Sequence, residues 1–362
     1  MKNKLWLVFI LITIATWGVW GAFSDTQMEN DKIPETVVYI LWALTMIPCA
    51  IVALIINKGK FMHDKKSILL GCTVGLLGAG GQLVLFKALT LGPAYIIFPF
   101  IAMSPVIVIS LASIFLKEKA NKWQIAGIVM ALAAILLLSI QSGGKSEFEA
   151  TFANDTTVEQ AKKDITAAFK ANAPEDAAKF EVEVEKMDKA NQYKIKTDCT
   201  CVKEDATYEG FQLKKIEKNV SGFLWIILAV LVLFAWGIQG FFMKFANNTM
   251  DAESIFVWMA ISGLILIPVA WFMSGDAATF FAGSGVFTKS ATCFGIQILN
   301  AIGALTLVYA YRYGKAVIVS PMEGLSPMVT VLLSLIILAV IPTPLQIAGI
   351  CCAAFAMYAL SK

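Results

Sequence analysis

Long stretches of this chain carry almost no charge, and their lengths are those a lipid bilayer selects. Apolar runs fall at 5–23, 37–56, 67–87, 93–116 and 123–141, then at 222–243, 254–273, 289–309, 316–338 and 344–360. A helix rises about 1.5 Å per residue and a hydrocarbon core is about 30 Å thick, so about 20 apolar residues span it. Backbone groups in lipid must bond one another, and the runs lack the period-two alternation of a barrel strand. The expectation is an all-α polytopic membrane protein with ten transmembrane helices. The first run, "MKNKLWLVFILITIATWGVWGAF", has a basic start like a signal peptide but no small-x-small cleavage site, so it is read as a retained helix.

Charge concentrates elsewhere. Residues 145–218 hold 13 of the 29 basic and 16 of the 26 acidic side chains. The sequence therefore divides into a five-run unit at 1–142, a charged island at 143–220 and a second five-run unit at 221–362.

The two units repeat one another. "GPAYIIFPFIAMSP" at 92–105 returns as "GKAVIVSPMEGLSP" at 314–327, an offset of 222, and "QIAGI" at 124–128 returns unchanged at 346–350. "TWGVWGAF" at 16–23 resembles "AWGIQGFF" at 235–242, an offset of 219. Two matches in one register point to duplication.

Orientation follows from lysine and arginine in short loops. With a cytoplasmic N-terminus, inner segments carry Lys2, Lys4, Lys58, Lys60, Lys65, Lys66, Lys117, Lys119, Lys122, Lys244, Arg312, Lys315 and Lys362, whereas outer ones carry Lys32, Lys87 and Lys289. Both termini are then cytoplasmic and the island extracytoplasmic. Five is an odd number, so the second unit enters the membrane upside down relative to the first. The expected architecture is a 5+5 inverted repeat, the plan of secondary transporters with a midplane solute site.

The phrases "FKALTLGPAYIIFPFIAMSPVIVISLASIFLKEK" at 86–119, "WQIAGIVMALAAILLL" at 123–138 and "VYAYRYGKAVIVSPMEGLSPMVTVLLS" in the second half resemble the drug/metabolite transporter superfamily, specifically permeases with two EamA domains. The likeness spans both bundles and none of the island, which is not part of the usual pattern. The second half has "LAVIPTP" where the first has "FLKEKAN". The resemblance implies a ten-span permease in an inner (cytoplasmic) membrane, here with an inserted extracytoplasmic domain.

Ionisable residues inside a membrane are costly and are functional candidates by default. Glu323 is the sharpest: it lies eight residues after Lys315, between Pro321 and Pro327 and beside Gly324, and its repeat partner is Ile101. It reads as a proton-coupling or substrate-binding carboxylate, or as a helix-capping acid paired with Arg312. Pro99, Pro105, Pro321, Pro327 and Gly324 interrupt helical bonding and are gating candidates. Lys87 reads as an anion-binding or Glu323-pairing group, or as a cation snorkelling to headgroups. Asp25 and Lys244, equivalent in the repeat, read as interface charges. Trp17, Trp236, Tyr95, Tyr309 and Gln239 would form an aromatic, amphipathic solute surface. Gly71, Gly75, Gly78, Gly80 and Gly81 have spacing suited to close helix packing.

The island reads as a small α+β insertion between helices 5 and 6. "TTVEQAKKDITAAFKAN" has helical periodicity, "KFEVEVEKM" and "QYKIKTDCTCV" alternate as strands do, and "YEGFQLKK" is a third strand. Cys199 and Cys201 read as free thiols or a strained bridge. Cys49, Cys72, Cys293, Cys351 and Cys352 read as small apolar residues in spans.

No phosphate-loop motif is present, and His63 is the one histidine, so neither a pump nor a His-based active site is expected. The chain reads as a non-enzyme that moves a small organic solute by alternating access, driven by a proton gradient or exchange. Sugar uptake of the glucose/ribose porter type and a membrane sensor or scaffold using the island are the alternatives. Expected partners are a small-molecule solute, the lipid bilayer, a coupling proton and a second copy in a homodimer. No cofactor, metal or nucleic acid is expected.

Overall fold

The computed structural model describes residues 4–29, 33–91, 97, 100–139, 146–154, 156–172, 182–187, 191–197, 207–208, 210–215, 223–338 and 344–362. Two compact units result, one made of Met1–Ile140 with Gly222–Lys362 and the other of Gln141–Ser221.

The larger unit is helical. Its first half contains α1 (Leu5–Glu29), α2 (Glu35–Ile56), α3 (Lys65–Leu91), α4 (Ser104–Phe115) and α5 (Lys122–Ser139). Among the described residues six helices are long and apolar enough to cross a membrane: Leu5–Phe23, Glu35–Ile56, Lys65–Leu85, Leu224–Ala246, Ala252–Met273 and Val286–Tyr313. Shorter apolar helices cover Ser104–Phe115, Lys122–Leu138 and Ile347–Leu360. Side chains such as Ile55, Leu69, Ile114, Phe272 and Phe287 point outward with no protein against them. An apolar surface this extensive needs a hydrocarbon solvent.

Three of the expected runs are not single helices. The run at 93–116 breaks at Ala102–Met103, and the run at 316–338 breaks at Gly324–Leu325. These breaks lie 222 residues apart, each just before a Ser-Pro pair that opens the next helix. Proline at the first helical positions forfeits an amide that has no partner there anyway. The run at 254–273 breaks at Leu266, where Pro268 starts a new helix, an interruption the periodicity did not announce. The second half is thus α7 (Leu224–Ala246), α8 (Ala252–Ile265), α9 (Ile267–Ser274), α10 (Asp276–Ala282), α11 (Val286–Tyr313), α12 (Ala316–Glu323), α13 (Ser326–Leu338) and α14 (Pro344–Leu360).

The halves meet through reciprocal contacts. α1 packs on α11 as α3 packs on α7, α1 meets α13 as α7 meets α4, and α5 packs on α14. Glycines permit the approach. A Cβ on Gly18 would overlap Val329, and one on Gly237 would overlap Ile107. Gly127 and Gly349, the glycines of the two "QIAGI" phrases, receive Leu360 and Leu138. Each contact has its counterpart at the repeat-equivalent pair, which is the signature of an isologous, two-fold interface.

The smaller unit is an antiparallel sheet in the order β2-β3-β1-β5-β4, with one helix among the described residues. β1 is Ser146–Phe152, β2 Val182–Lys186, β3 Gln192–Thr197, β4 Thr207–Tyr208 and β5 Phe211–Lys215, and the helix, α6, is Val158–Asn172. β1 was not foreseen, although Phe148, Ala150 and Phe152 alternate with polar residues along it. "YEGFQLKK" is two strands rather than one, because Gly210 at φ +93 makes the turn between them. Phe148, Phe169, Tyr193, Ile195 and Leu213 fill its core. Cys199 and Cys201 lie outside the described residues.

Candidate solute-binding cavity

A cavity of about 360 Å³ lies midway along the helices of the larger unit. Its walls come from both halves: Trp17 and Trp20 of α1, Trp42 and Met46 of α2, the stretch from Gly75 to Leu85 of α3, and Ser104 and Pro105 opening α4. Facing them are Trp236, Gln239 and Met243 of α7, Asn300 and Leu307 of α11, and Glu323, Gly324, Ser326 and Pro327 at the α12–α13 break. A pocket of this size suits a small organic molecule.

The two principal aromatic walls are built crosswise by one device. Trp17 lies on Gly303, and Trp236 lies on Gly81, 222 residues earlier. Trp17 donates its indole N–H to the Asn300 carbonyl at 3.1 Å, and Trp236 donates to the Gly78 carbonyl at 3.4 Å, again an equivalent pair. Glycine is required at both seats because a Cβ would collide with the indole. Trp20 donates to Gln297 Oε1 at 3.0 Å and Trp42 to Asn300 Oδ1 at 2.8 Å. With their N–H groups bonded inside the protein, these rings offer a ligand chiefly their faces. Of the α3 glycines, Gly71 and Gly75 pack on Trp258 and Ser262, and Gly78 and Gly81 seat the pocket side chains Gln239 and Trp236, whereas Gly80 faces open space.

Glu323 breaks the symmetry. The residue lines the cavity while its Oε2 is buried without a hydrogen-bond partner. Tyr311 and Ser320 flank it; their hydroxyls are likewise buried without a partner in hydrogen-bond geometry. Of the three, Glu323 lines the cavity, whereas Tyr311 and Ser320 are fully buried. Arg312 does not pair with the acid; it donates to the Asn247 and Met250 carbonyls.

Of the residues singled out from sequence, the cavity gathers Glu323, Trp17, Trp236, Gln239, Pro105, Pro327 and Gly324. Tyr309 is elsewhere: its hydroxyl donates to Glu253 Oε1 at 2.7 Å and its ring stacks on Phe9. Lys87 is exposed and outside the lining, and Pro321 is buried within α12 outside it too. Lys244, read as an interface charge, donates to the Tyr311 and Gly314 carbonyls. Tyr95 and Pro99 lie outside the described residues. Sequence reasoning passed over Asn300, Gln82, Tyr311 and Ser320. A polar residue facing a small one across the repeat, Asn300 against Gly78 and Gln82 against Ala304, was the available signal.

The fold has solved counterparts. One crystal structure superposes with a TM-score of 0.62 at 12% identity, covering 97% of each chain, a likeness of fold alone. An uncharacterized protein of Methanocaldococcus jannaschii is 29% identical over 136 residues, 38% of this chain but 97% of that protein. That relative is thus about as long as one half of the larger unit. The EamA-like transporter family matches residues 4–140 and 223–362, both halves and none of the island. The chain belongs to that family and is an integral membrane protein of the drug/metabolite transporter superfamily.

Proposed function

We propose that this protein is a secondary transporter that carries a small organic solute across the cytoplasmic membrane of a bacterial cell by alternating access. It is read as ten spans in two inverted five-helix repeats, 1–142 and 221–362. The extracytoplasmic domain at 143–220 is inserted between them, and both termini are cytoplasmic. The observation that carries the reading is the cavity between the halves, with Trp17 and Trp236 held by equivalent glycines and a lone acid at the helix break. Repeats related by a two-fold can exchange conformations, so the gate made by one half has a counterpart in the other. Ring faces favour a solute with a planar or apolar body. Glu323, the acid in the lining, favours a hydrogen-bond-donating group on the solute, and a carboxylate in lipid surroundings is suited to exchanging a proton.

Purified protein in proteoliposomes, screened for flux of small organic solutes with and without a pH gradient, tests this. Wild-type protein is expected to accumulate at least one solute, and Glu323→Gln to lose gradient-driven accumulation while remaining inserted. Gradient-driven accumulation retained in Glu323→Gln would remove the acid from the mechanism. Absence of flux, with binding retained by the island, would favour a sensor.

A further inference from the structure

One motif is left unused by this reading: the charged loop "FLKEKAN" after α4. It is built with care. Lys117 takes a left-handed conformation at φ 53, and the Glu118 amide reaches back to the Ala112 carbonyl, six residues earlier. A left-handed residue just past the last turn ends the helix, and the long return bond fixes the residue after it. Glu118, so fixed, accepts the Val317 amide at 3.1 Å. Val317 is the second residue of α12, and a carboxylate there satisfies an orphan amide at the positive end of the helix. The same turn is held from three other sides. Lys244 donates to the Tyr311 carbonyl at 2.9 Å and the Gly314 carbonyl at 2.6 Å, at the end of α11. Lys315 donates back to the Lys119 carbonyl at 2.8 Å, and Arg312 ties α11 to the Asn247 carbonyl at 3.3 Å.

The helix so clamped is the one that reaches the cavity. α12 is eight residues long, with Ala316 at the clamped end and Glu323 at the cavity, a span of about 12 Å. Ala316 through Met322 are all buried, so α12 fills the space between the cavity and the clamped turn. In sequence the repeat lacks the two clamping side chains. At the positions equivalent to Glu118 and Lys244 the sequence has Val340 and Asp25.

We propose that Glu118 and Lys244 form a latch that pins the Gly314–Lys315 turn and thereby holds α12 as a closed gate on this face of the cavity alone. Glu118 acts as a positioning residue: it does not touch the solute. The inference rests on the alternating-access reading, and its readout needs no known solute.

The test is the labelling rate of Ala304→Cys, a cavity position, by a membrane-impermeant maleimide. It is measured in the full chain with its other cysteines replaced, in right-side-out and in inverted vesicles. Glu118→Ala removes the cap, and cap losses of this kind correspond to about a fivefold shift in population. Labelling is expected to rise about fivefold, only in the vesicles that present Lys119 and Lys315 to the reagent. Glu118→Gln keeps an acceptor oxygen without the buried charge and should stay near the wild-type rate. Should Glu118→Ala fail to fold, Lys244→Met, which removes the donor to the Tyr311 and Gly314 carbonyls, carries the test in its place. An equal rise from both faces would mean general loosening and would overturn the latch, as would an unchanged rate. A transport assay that finds no solute, with the one-sided rise still present, would count against the transport reading and not against the latch.

Discussion

Adding one methyl group at Gly81 should disable the aromatic wall opposite. A Cβ there would lie 2.5 Å from Trp236 Nε1 and 2.7 Å from Cδ1, whereas apolar atoms rest about 3.5–4.0 Å apart. The indole must therefore withdraw by about 1 Å, and its 3.4 Å bond to the Gly78 carbonyl is stretched beyond use. Overpacking of this kind costs about 1–3 kcal/mol, and the lost hydrogen bond about 1 kcal/mol more. If half of that is felt by the bound solute, affinity for any solute identified by thermal stabilisation falls about tenfold in Gly81→Ala. The repeat makes the same demand of Gly303→Ala, whose methyl would meet Trp17. Shrinking the ring relieves the collision, so Gly81→Ala with Trp236→Phe should lose less than the two single changes summed, by about 1 kcal/mol. Wild-type affinity in Gly81→Ala, or strict additivity in the double variant, would refute the crosswise device.

Asn300→Ala removes the acceptor of the Trp42 indole; leaving that donor unpaired costs about 1–3 kcal/mol and should lower melting temperature and solute affinity together. Phe169→Ala empties the core of the smaller unit, by about 3–5 kcal/mol, and limited proteolysis should cut within 141–221 while sparing the helices. Burial raises the Glu118 carboxyl above the ordinary carboxylate range, against the smaller opposing effects of the Val317 amide, Lys244 and Lys315. Its charged form thus weighs against the fold at high pH and the penalty fades as pH falls through the raised value. Glu118→Gln should therefore flatten the pH dependence of melting, gaining most at the alkaline end. An unchanged profile would contradict that sign.

The membrane class and the halves were legible because bilayer length and apolarity are properties of single segments. The internal match was legible because duplication leaves register, and Trp17 with Trp236 followed from it. Pairings across the halves were not. Nothing local to Gly81 says that Trp236 rests on it, and Tyr309, apt for a pocket by type, is turned away to bond Glu253. The Ser-Pro breaks could be seen in the prolines, but the break at Leu266 could not, since Pro268 within an apolar run also fits a kinked continuous helix. Glu118 was read as part of a charged loop, because its partner, the Val317 amide, is a backbone group with no sequence signature.

Alternate exposure of the cavity is the claim on which the transport account stands, and Gln239→Cys measures it most directly. Labelled with an impermeant maleimide in sealed vesicles of each orientation, it is expected to react from both faces, with a transported solute protecting it from both. Reaction from one face alone, with the solute protecting only there, would describe a one-sided binding pocket and contradict alternating access.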